Sequence, residues 1–444
     1  MSPTGSRRMP GFETVDEVLG WLDVQRERMT MTARPIPLED LRNWHLDPVS
    51  GNLGHESGKF FSVEGVRVTD PAGPVPAWDQ PIIHQPEIGI LGILADRSRI
   101  GPTRFLMQAK FEPGNPGGVQ LSPTVQATRS NYLRVHGGRP VPYLEHFRDV
   151  DPESVLADVR QSEQGAWFFR KRNRNMIVES RDAIEPREGF CWVGLPLLLQ
   201  LLHVPDLLNM DARTVLACAP PEALAGVETV GGGARSGSLS WITDQRTGTE
   251  LTAELIPLNE TARWRLDDGM IRHDSGGHFT ILGVEVTATG REVSSWHQPM
   301  LAPTGPGIVG ALVTREGGTV SVLMRSRTEP GCTDGAELGP TVQCQPDTLE
   351  RHPERLAPPF LDRFLSPEPG SVRFDVVQSE EGGRFYFARN RYMVVEIDGR
   401  LPAPAGFRWF GLDEISDFMR HSFYLNVQAR SIALCLTSLV AAHA

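Results

Sequence analysis

The chain repeats itself, and that duplication constrains its fold more than any other feature. Phe61-Ser62-Val63-Glu64-Gly65-Val66 answers to Phe279-Thr280-Ile281-Leu282-Gly283-Val284. Trp78-Asp79-Gln80-Pro81 answers to Trp296-His297-Gln298-Pro299, at the same offset of 218 residues. Leu121–Gln126 then matches Leu338–Gln343, and Asn173-Arg174 matches Asn390-Arg391, at 217. Register held over so many residues means one fold made twice, so matched positions that differ become candidates for divided labour.

The 444 residues suffice for two or three domains. A net charge of −11 argues against nucleic acid or an anionic membrane as the main partner. The apolar runs Leu195–Leu202 and Ile432–Ala442 are too short to span a bilayer. Two arginines near the N-terminus precede no apolar stretch, which argues against a secretory signal. Five scattered cysteines without a CxxC pair fit a reduced compartment and give no thiolate metal site. The expected location is cytoplasmic.

Periodicity divides the chain into an N-terminal helical segment (1–35), a first copy (36–219), a linker (220–255) and a second copy (256–444). Glu17–Arg28 reads as an amphipathic helix with Val18, Leu19, Leu22 and Val24 inside. Strands are expected at Phe60–Val68, Ile88–Leu94, Phe105–Phe111, Phe279–Val286 and Val320–Arg325, with hairpins at Phe168–Glu179 and Phe385–Glu396. Helices Leu195–Leu208 and Arg213–Cys218 close the first copy, and Leu412–Arg420 and Asn426–Ala442 the second. Gly65, Gly92 and Pro123 read as turn or strand-end residues, and Phe61, Trp192 and Trp409 as core. The class is α+β.

Cofactor motifs are missing. There is no P-loop, no G-x-G-x-x-G, no H-E-x-x-H and no G-x-S-x-G, and the histidines do not cluster at metal-ligand spacing. No cofactor and no metal are expected.

The polar residues concentrate in Gln120–His136, with Gln126, Arg129, Ser130, Asn131, Tyr132 and Arg134. The second copy has lost the arginine and tyrosine. Either this is a solvated loop, or it is a multidentate site for a phosphorylated or sugar-like ligand, for which arginine forks are suited. His84 stands where the second copy has Ala302, and Lys110 where it has Arg327. His84 can serve as general acid or base, and Lys110 can stabilise a developing enolate. His55 is kept as His273, which favours a shared role in binding or structure. Arg172 and Arg174 match Arg389 and Arg391, as two anion pockets or two salt-bridged sheet faces, with Glu179 and Glu396 as available countercharges. Arg213 and Arg430 each follow an asparagine by four residues.

Trp78–Ile83, Glu87–Gly92, Phe105–Lys110 and the QLSPTVQATRSNY stretch at Gln120–Tyr132 resemble the nucleotide-sugar 2,3-dehydratases of deoxysugar biosynthesis. The resemblance runs through both copies. It implies two Nudix-like α/β units with mixed sheets and flanking helices, assembled as a homodimer, with the first repeat as the favoured catalytic copy. The metal-binding glutamate helix of true Nudix hydrolases is missing from both halves, and fold alone would not imply hydrolysis.

The implied reaction is loss of water across C2–C3 of a dTDP-4-keto-6-deoxyhexose, to a dTDP-3,4-diketo-2,6-dideoxyhexose, for antibiotic or other natural-product biosynthesis. The labile product would pass to a 3-ketoreductase. His84 or Tyr132 would move the proton and Lys110 would face the C4 oxygen. Arg129, Arg134 and Arg174 would take the diphosphate, with His55, Trp78, Gln80, Gln126, Ser130 and Asn131 completing the substrate set. Met324-Arg325-Ser326-Arg327 departs from Met107-Gln108-Ala109-Lys110 and leaves the second copy's ligand role open. A non-catalytic nucleotide-sugar binding protein and a metal-dependent nucleotide-sugar hydrolase remain alternatives.

Overall fold

The computed structural model describes residues 11–97, 101–128, 140–220, 223, 236–289, 293–352 and 356–441. It is a mixed α+β protein of two similar halves, each with a five-stranded and a seven-stranded sheet. In the first half five strands of the seven-stranded sheet run Val155–Ser162, Arg172–Glu179, Gly89–Asp96, Arg104–Lys110, Phe190–Gly194, with Gln120–Ser122 added on Arg104–Lys110 and Val125–Ala127 on Gly89–Asp96. The second half repeats the order with Val372–Ser379, Arg389–Glu396, Gly307–Glu316, Thr319–Thr328, Phe407–Gly411. One pair in each is parallel, Arg172–Glu179 on Gly89–Asp96 and Arg389–Glu396 on Gly307–Glu316. Gly89–Asp96 and Gly307–Glu316 are central and apolar over most of their length, whereas Arg172–Glu179 and Arg389–Glu396 are apolar only toward their C-terminal ends.

The five-stranded sheets exchange strands between the halves. Met31–Ile36, from the N-terminal segment, pairs antiparallel with Thr280–Ala288 of the second half. Thr252–Ile256 pairs in the equivalent way with Ser62–Thr69 of the first. The stretch 220–255 read as linker therefore holds structure, since Ser236–Thr247 is a helix and Thr252–Ile256 a strand. Ser236–Thr247 leads into its strand as Val15–Arg28 leads into Met31–Ile36.

Helix Val15–Arg28 starts at a capping box between Thr14 and Glu17 and buries Val18, Leu22 and Gln25. Val24, expected inside, is 43% exposed. The expected hairpins are differently drawn. Arg172–Glu179 is one arm, and Val155–Ser162 is the other. Gly65 and Gly92 are not turn residues but lie within strands. A Cβ on Gly65 would lie 2.7 Å from Thr261 Cγ2 and 2.9 Å from the Pro257 carbonyl oxygen, and one on Gly92 2.5 Å from the Phe147 ring. Close approach of a neighbour, rather than a bend, explains both. Phe61 and Trp192 are buried as expected, while Trp409 is partly covered and donates to the Leu401 carbonyl.

The largest core cluster joins the halves. It runs from Phe105, Met107, Leu198 and Val215 into Met324, Phe410, Leu425 and Leu436. Helices Met210–Ala217 and Val427–Ala441 pack on each other at its centre. Asn209 and Asn426 cap these helices, each side chain accepting from the backbone N–H three residues on. Among the described residues no helix is long and apolar enough to cross a membrane, and all five cysteines are free thiols.

Candidate active site

Lys110 ends its strand beside Gln120–Ser122, and Gln126 lies on the short strand Val125–Ala127. The fold turns both toward Glu112. Lys110 Nζ lies 3.2 Å from Glu112 Oε1, and Gln126 Nε2 donates to the same oxygen at 3.0 Å. The Lys110 side chain stays 19% exposed and Glu112 only 9%, so the lysine is the more accessible of the two.

Behind this trio is a buried charged cluster drawn from both halves. Asp211, on helix Met210–Ala217, has its carboxyl pushed well above the usual range, by burial first and then by Glu163, Glu112 and Glu381, with Lys110 opposing. Glu381 is raised to about 7 by burial and by Glu112. Glu163 is raised by burial against the pull of Arg430 and Lys171. Lys171 is lowered to about 8, mainly by burial, and its Nζ donates to the Glu87 carbonyl. Arg384, partly buried, is also lowered, chiefly by desolvation. Burial thus shifts these carboxyls up and the Lys171 ammonium down, bringing their titration toward neutral pH.

The second half keeps the trio as Arg327, Glu329 and Gln343, with Arg327 Nε on Glu329 at 2.7 Å and Gln343 on the same oxygen at 3.3 Å. Its surroundings differ. Gln428 stands for Asp211, Gln164 for Glu381, Ala388 for Lys171 and Trp167 for Arg384. These matched differences were open to reading in the sequence, yet Asp211, Lys171, Glu381 and Arg384 escaped it, as did Glu112, which both halves keep. Only folding shows that Glu381 and Arg384 of one half complete the cluster of the other.

His84 forms a second group. Its Nδ1 lies 2.9 Å from Glu64 Oε1, which also accepts from Ser62 Oγ at 2.6 Å. The His84 bond, more than any other cause, holds the Glu64 carboxyl below its ordinary value. The imidazole is 30% exposed, edge-on to Phe169 at 6.0 Å. A half-exposed imidazole oriented by a buried-side carboxylate is suited to proton transfer. The second half has Leu282 and Ala302 at these places. Residues 163–171 lie between the two groups. Gln80 donates to the Ala166 carbonyl at 2.8 Å, Trp78 Nε1 to Gln80 at 3.1 Å, and Asn173 to Glu163 at 2.6 Å. Trp78 and Gln80 thus brace this segment, and Trp296 and Gln298 do the same work in the other half.

The remaining residues are placed elsewhere. His55 holds Ser57 Oγ at 2.8 Å and packs on Trp44 and Phe60, a turn repeated by His273 and Ser275. Arg174 forks onto Asp158 at 2.7 and 2.5 Å, as Arg391 forks onto Asp375 at 2.7 and 2.6 Å. Arg174 and Arg391 therefore make salt-bridged sheet faces, with Asp158 and Asp375 rather than Glu179 and Glu396 as countercharges, whereas Arg389 pairs with Asp206 and Arg172 donates to the Arg170 carbonyl. Arg174 alternates in its strand with buried Asn173 and so points from the opposite face of the sheet. Arg129, Ser130, Asn131, Tyr132 and Arg134 lie outside the described residues.

The described residues thus form a duplicated α+β protein with an acid-rich cluster beside Lys110, and with a His84–Glu64 pair whose places are taken by Ala302 and Leu282 in the second half. The family model for NDP-hexose 2,3-dehydratase matches residues 15–219 and 236–436. The chain belongs to that family. It is 41% identical over 436 residues to a dTDP-4-dehydro-6-deoxy-alpha-D-glucopyranose 2,3-dehydratase of Amycolatopsis orientalis, covering 96% of this chain and 91% of that one. Relatives of the same description from Saccharopolyspora spinosa (42% over 440 residues, 94% and 90% covered) and Streptomyces violaceoruber (44% over 423, 93% and 94%) match it as fully.

Proposed function

We propose that this chain eliminates water across C2–C3 of dTDP-4-keto-6-deoxyglucose, giving dTDP-3,4-diketo-2,6-dideoxyglucose for deoxysugar biosynthesis. Membership of the 2,3-dehydratase family along both halves carries the reading. The C4 ketone acidifies the C3 proton, so a base suffices to start the reaction. His84 takes that proton, and Glu64 stabilises the imidazolium formed. Lys110 faces the oxygen at C4 as charge gathers there. The C2 hydroxyl leaves as water once protonated, a step assigned to Tyr132. The resulting 2,3-enol takes a proton at C2 and becomes the 3-ketone. The ketone is the electron sink throughout, and the chemistry calls for no redox cofactor.

Gln126 and its neighbours Ser130 and Asn131 hold the sugar, and Arg129 and Arg134 the diphosphate. Arg174 leaves the diphosphate set, because Asp158 already occupies its fork. His55, Trp78 and Gln80 act through positioning, since their counterparts make the same bonds in the second half. Each half is assigned a Nudix-like ancestry, on the sequence resemblance and the mixed parallel–antiparallel sheet. The same reading makes the protein a cytoplasmic homodimer that hands a labile product to a 3-ketoreductase, in natural-product biosynthesis.

The test is mass spectrometry and proton NMR of freshly made dTDP-4-keto-6-deoxyglucose incubated with the protein in deuterated water, with a reductase or chemical trap. Loss of one water and deuterium at C2 is the expected result. Unchanged substrate, with the control enzyme active, would leave only a binding role; release of sugar phosphate would point to hydrolysis.

A further inference from the structure

Three histidines far apart in the sequence meet in the second half. His273 ends the strand Met270–His273, His278 follows on the turn into Thr280–Ala288, and His352 is the C-cap of helix Pro346–Arg351. One ligating nitrogen from each lies within 4.8 Å of the other two. The His273 and His278 rings are 4.4 Å apart between centroids, as are those of His278 and His352. His352 is only 4% exposed.

The surroundings are shaped to this cluster. Ser275 Oγ lies 2.6 Å from His273 Nδ1 and 3.0 Å from His352 Nε2, and so orients two of the three rings. The carboxylate of Asp274 lies 3.5 Å from His273 Nδ1. Trp264 walls one side, 5.3 Å from His273 and 5.9 Å from His278. Gly277 is required where it is, because a Cβ there would lie 2.5 Å from His352 Nε2. The first half supplies a comparison within the same chain. His55 and Ser57 reproduce the His273–Ser275 bond, but Phe60 stands where His278 does and Lys59 where Gly277 does. The histidine–serine turn is thus common to both copies, whereas the gathered imidazoles belong to the second.

We propose that His273, His278 and His352 bind one divalent transition-metal cation of the zinc class, stapling the 273–278 turn to the end of helix Pro346–Arg351. Imidazole is a preferred ligand for zinc, copper and nickel ions. Zinc–nitrogen bonds of about 2.0–2.1 Å set tetrahedral ligand nitrogens roughly 3.3 Å apart, so side-chain shifts of about 1 Å close the cluster on an ion. The hydroxyl of Ser275 holds the rings as outer partners of metal-bound histidines do. The site lies in the half that carries Arg327 in place of Lys110, and its role is to fix structure.

Untagged, chelator-stripped protein is titrated with Zn²⁺ by calorimetry, and the metal retained after gel filtration is counted by mass spectrometry. One equivalent per chain is expected, with a rise in melting temperature on binding. His278→Phe, which copies the first half, is expected to weaken binding at least tenfold with an unchanged circular-dichroism spectrum, and His352→Gln likewise. Wild-type protein that retains no zinc overturns the proposal, as does binding unaffected in both variants. Should His278→Phe not fold, the Co²⁺-loaded wild type decides. Intense visible bands of a nitrogen-ligated, low-coordinate ion support the site, and the pale spectrum of hydrated Co²⁺ refutes it.

Discussion

Arg213 and Arg430 are counterparts, and each reaches out of its own half into the other. Arg213 Nη2 donates to the Ser379 carbonyl at 2.8 Å, and Arg430 Nη2 to the Ser162 carbonyl at 2.5 Å. Each also bonds the carbonyl just before its own helix, at Leu208 and Leu425, both at 2.7 Å. Both side chains are essentially enclosed. The two halves are therefore tied by a reciprocal pair of buried guanidinium groups at the centre of the shared core.

Removing one of them leaves buried carbonyls without donors. Arg213→Met is expected to lower unfolding stability by about 3 kcal/mol, read from urea denaturation. Arg174→Met breaks only a part-exposed bridge to Asp158 and should cost at most about 1 kcal/mol. Equal losses in the two variants would show that the reciprocal pair is not a principal tie.

Glu337 gives stability a pH dependence of definite sign. It is buried, bonded to Ser162 Oγ at 2.6 Å, and its carboxyl is pushed up to about 7 by burial. A carboxyl raised in the folded state stabilises fully below its unfolded value near 4.5 and loses that contribution as pH rises through about 7. Between those limits Glu337 alone should lower stability by about 1.4 kcal/mol per pH unit. Glu337→Gln, which keeps the hydrogen bond without the proton, should flatten the profile and exceed the wild type in stability at pH 8. A variant with an unaltered pH slope would contradict this.

The pairing of His84 with Glu64 should be visible in catalysis. His84→Ala is expected to lower kcat about a hundredfold or more. Glu64→Gln should lower kcat while leaving KM near its original value, and shift the acid limb of the pH–rate profile. Because His84 holds Glu64 below its ordinary value, any stabilising contribution of the pair is present above the unfolded carboxyl pKa and fades as pH falls through the folded one. A Glu64→Gln enzyme with wild-type kcat and pH profile would remove the pair from the mechanism.

Much of the fold was legible because duplication doubles every local signal. The strands around Phe61, Ile90 and Phe105, and their counterparts, are where alternation and β-branched runs placed them. The exchange of Met31–Ile36 and Thr252–Ile256 was not legible, since nothing local says which copy of a repeated partner a strand will join. Lys110, Gln126 and His84 stood out by differing from, or lying beside, altered counterparts. Their partners Glu112, Asp211 and Glu381 are ordinary acidic residues until the fold buries them together. The meeting of His273 with His278 and His352 escaped for the same reason, because metal-ligand spacing is a local pattern and this cluster is a tertiary one.

The difference between the copies can be weighed directly through the matched cations. Lys110→Met removes the charge beside Glu112 in the half that holds His84, and should lower kcat by about a hundredfold. Arg327→Met removes the equivalent charge beside Glu329 and should leave kcat within about threefold of the wild type. Steady-state kinetics with trapped product distinguishes them. A collapse of turnover in Arg327→Met alone would move the active site to the second half.

The exchanged strands make a final prediction about folding. A fragment of residues 11–219 contains Ser62–Thr69 but lacks its partner Thr252–Ile256, and contains Met31–Ile36 without Thr280–Ala288. It also exposes the part of the core that Leu425, Leu436 and Phe410 cover. An unpaired strand edge next to bare apolar surface recruits another chain. Met31–Ile36 can occupy the place of Thr252–Ile256 on a second fragment, since the two strands are equivalent in the repeat. The fragment is therefore expected to dimerise by exchange or to aggregate, and co-expression with residues 236–441 should recover a one-to-one complex. Size-exclusion chromatography with light scattering reads the outcome. A monomeric fragment that unfolds cooperatively would show that each half can stand alone, and that the shared core contributes far less than its burial implies.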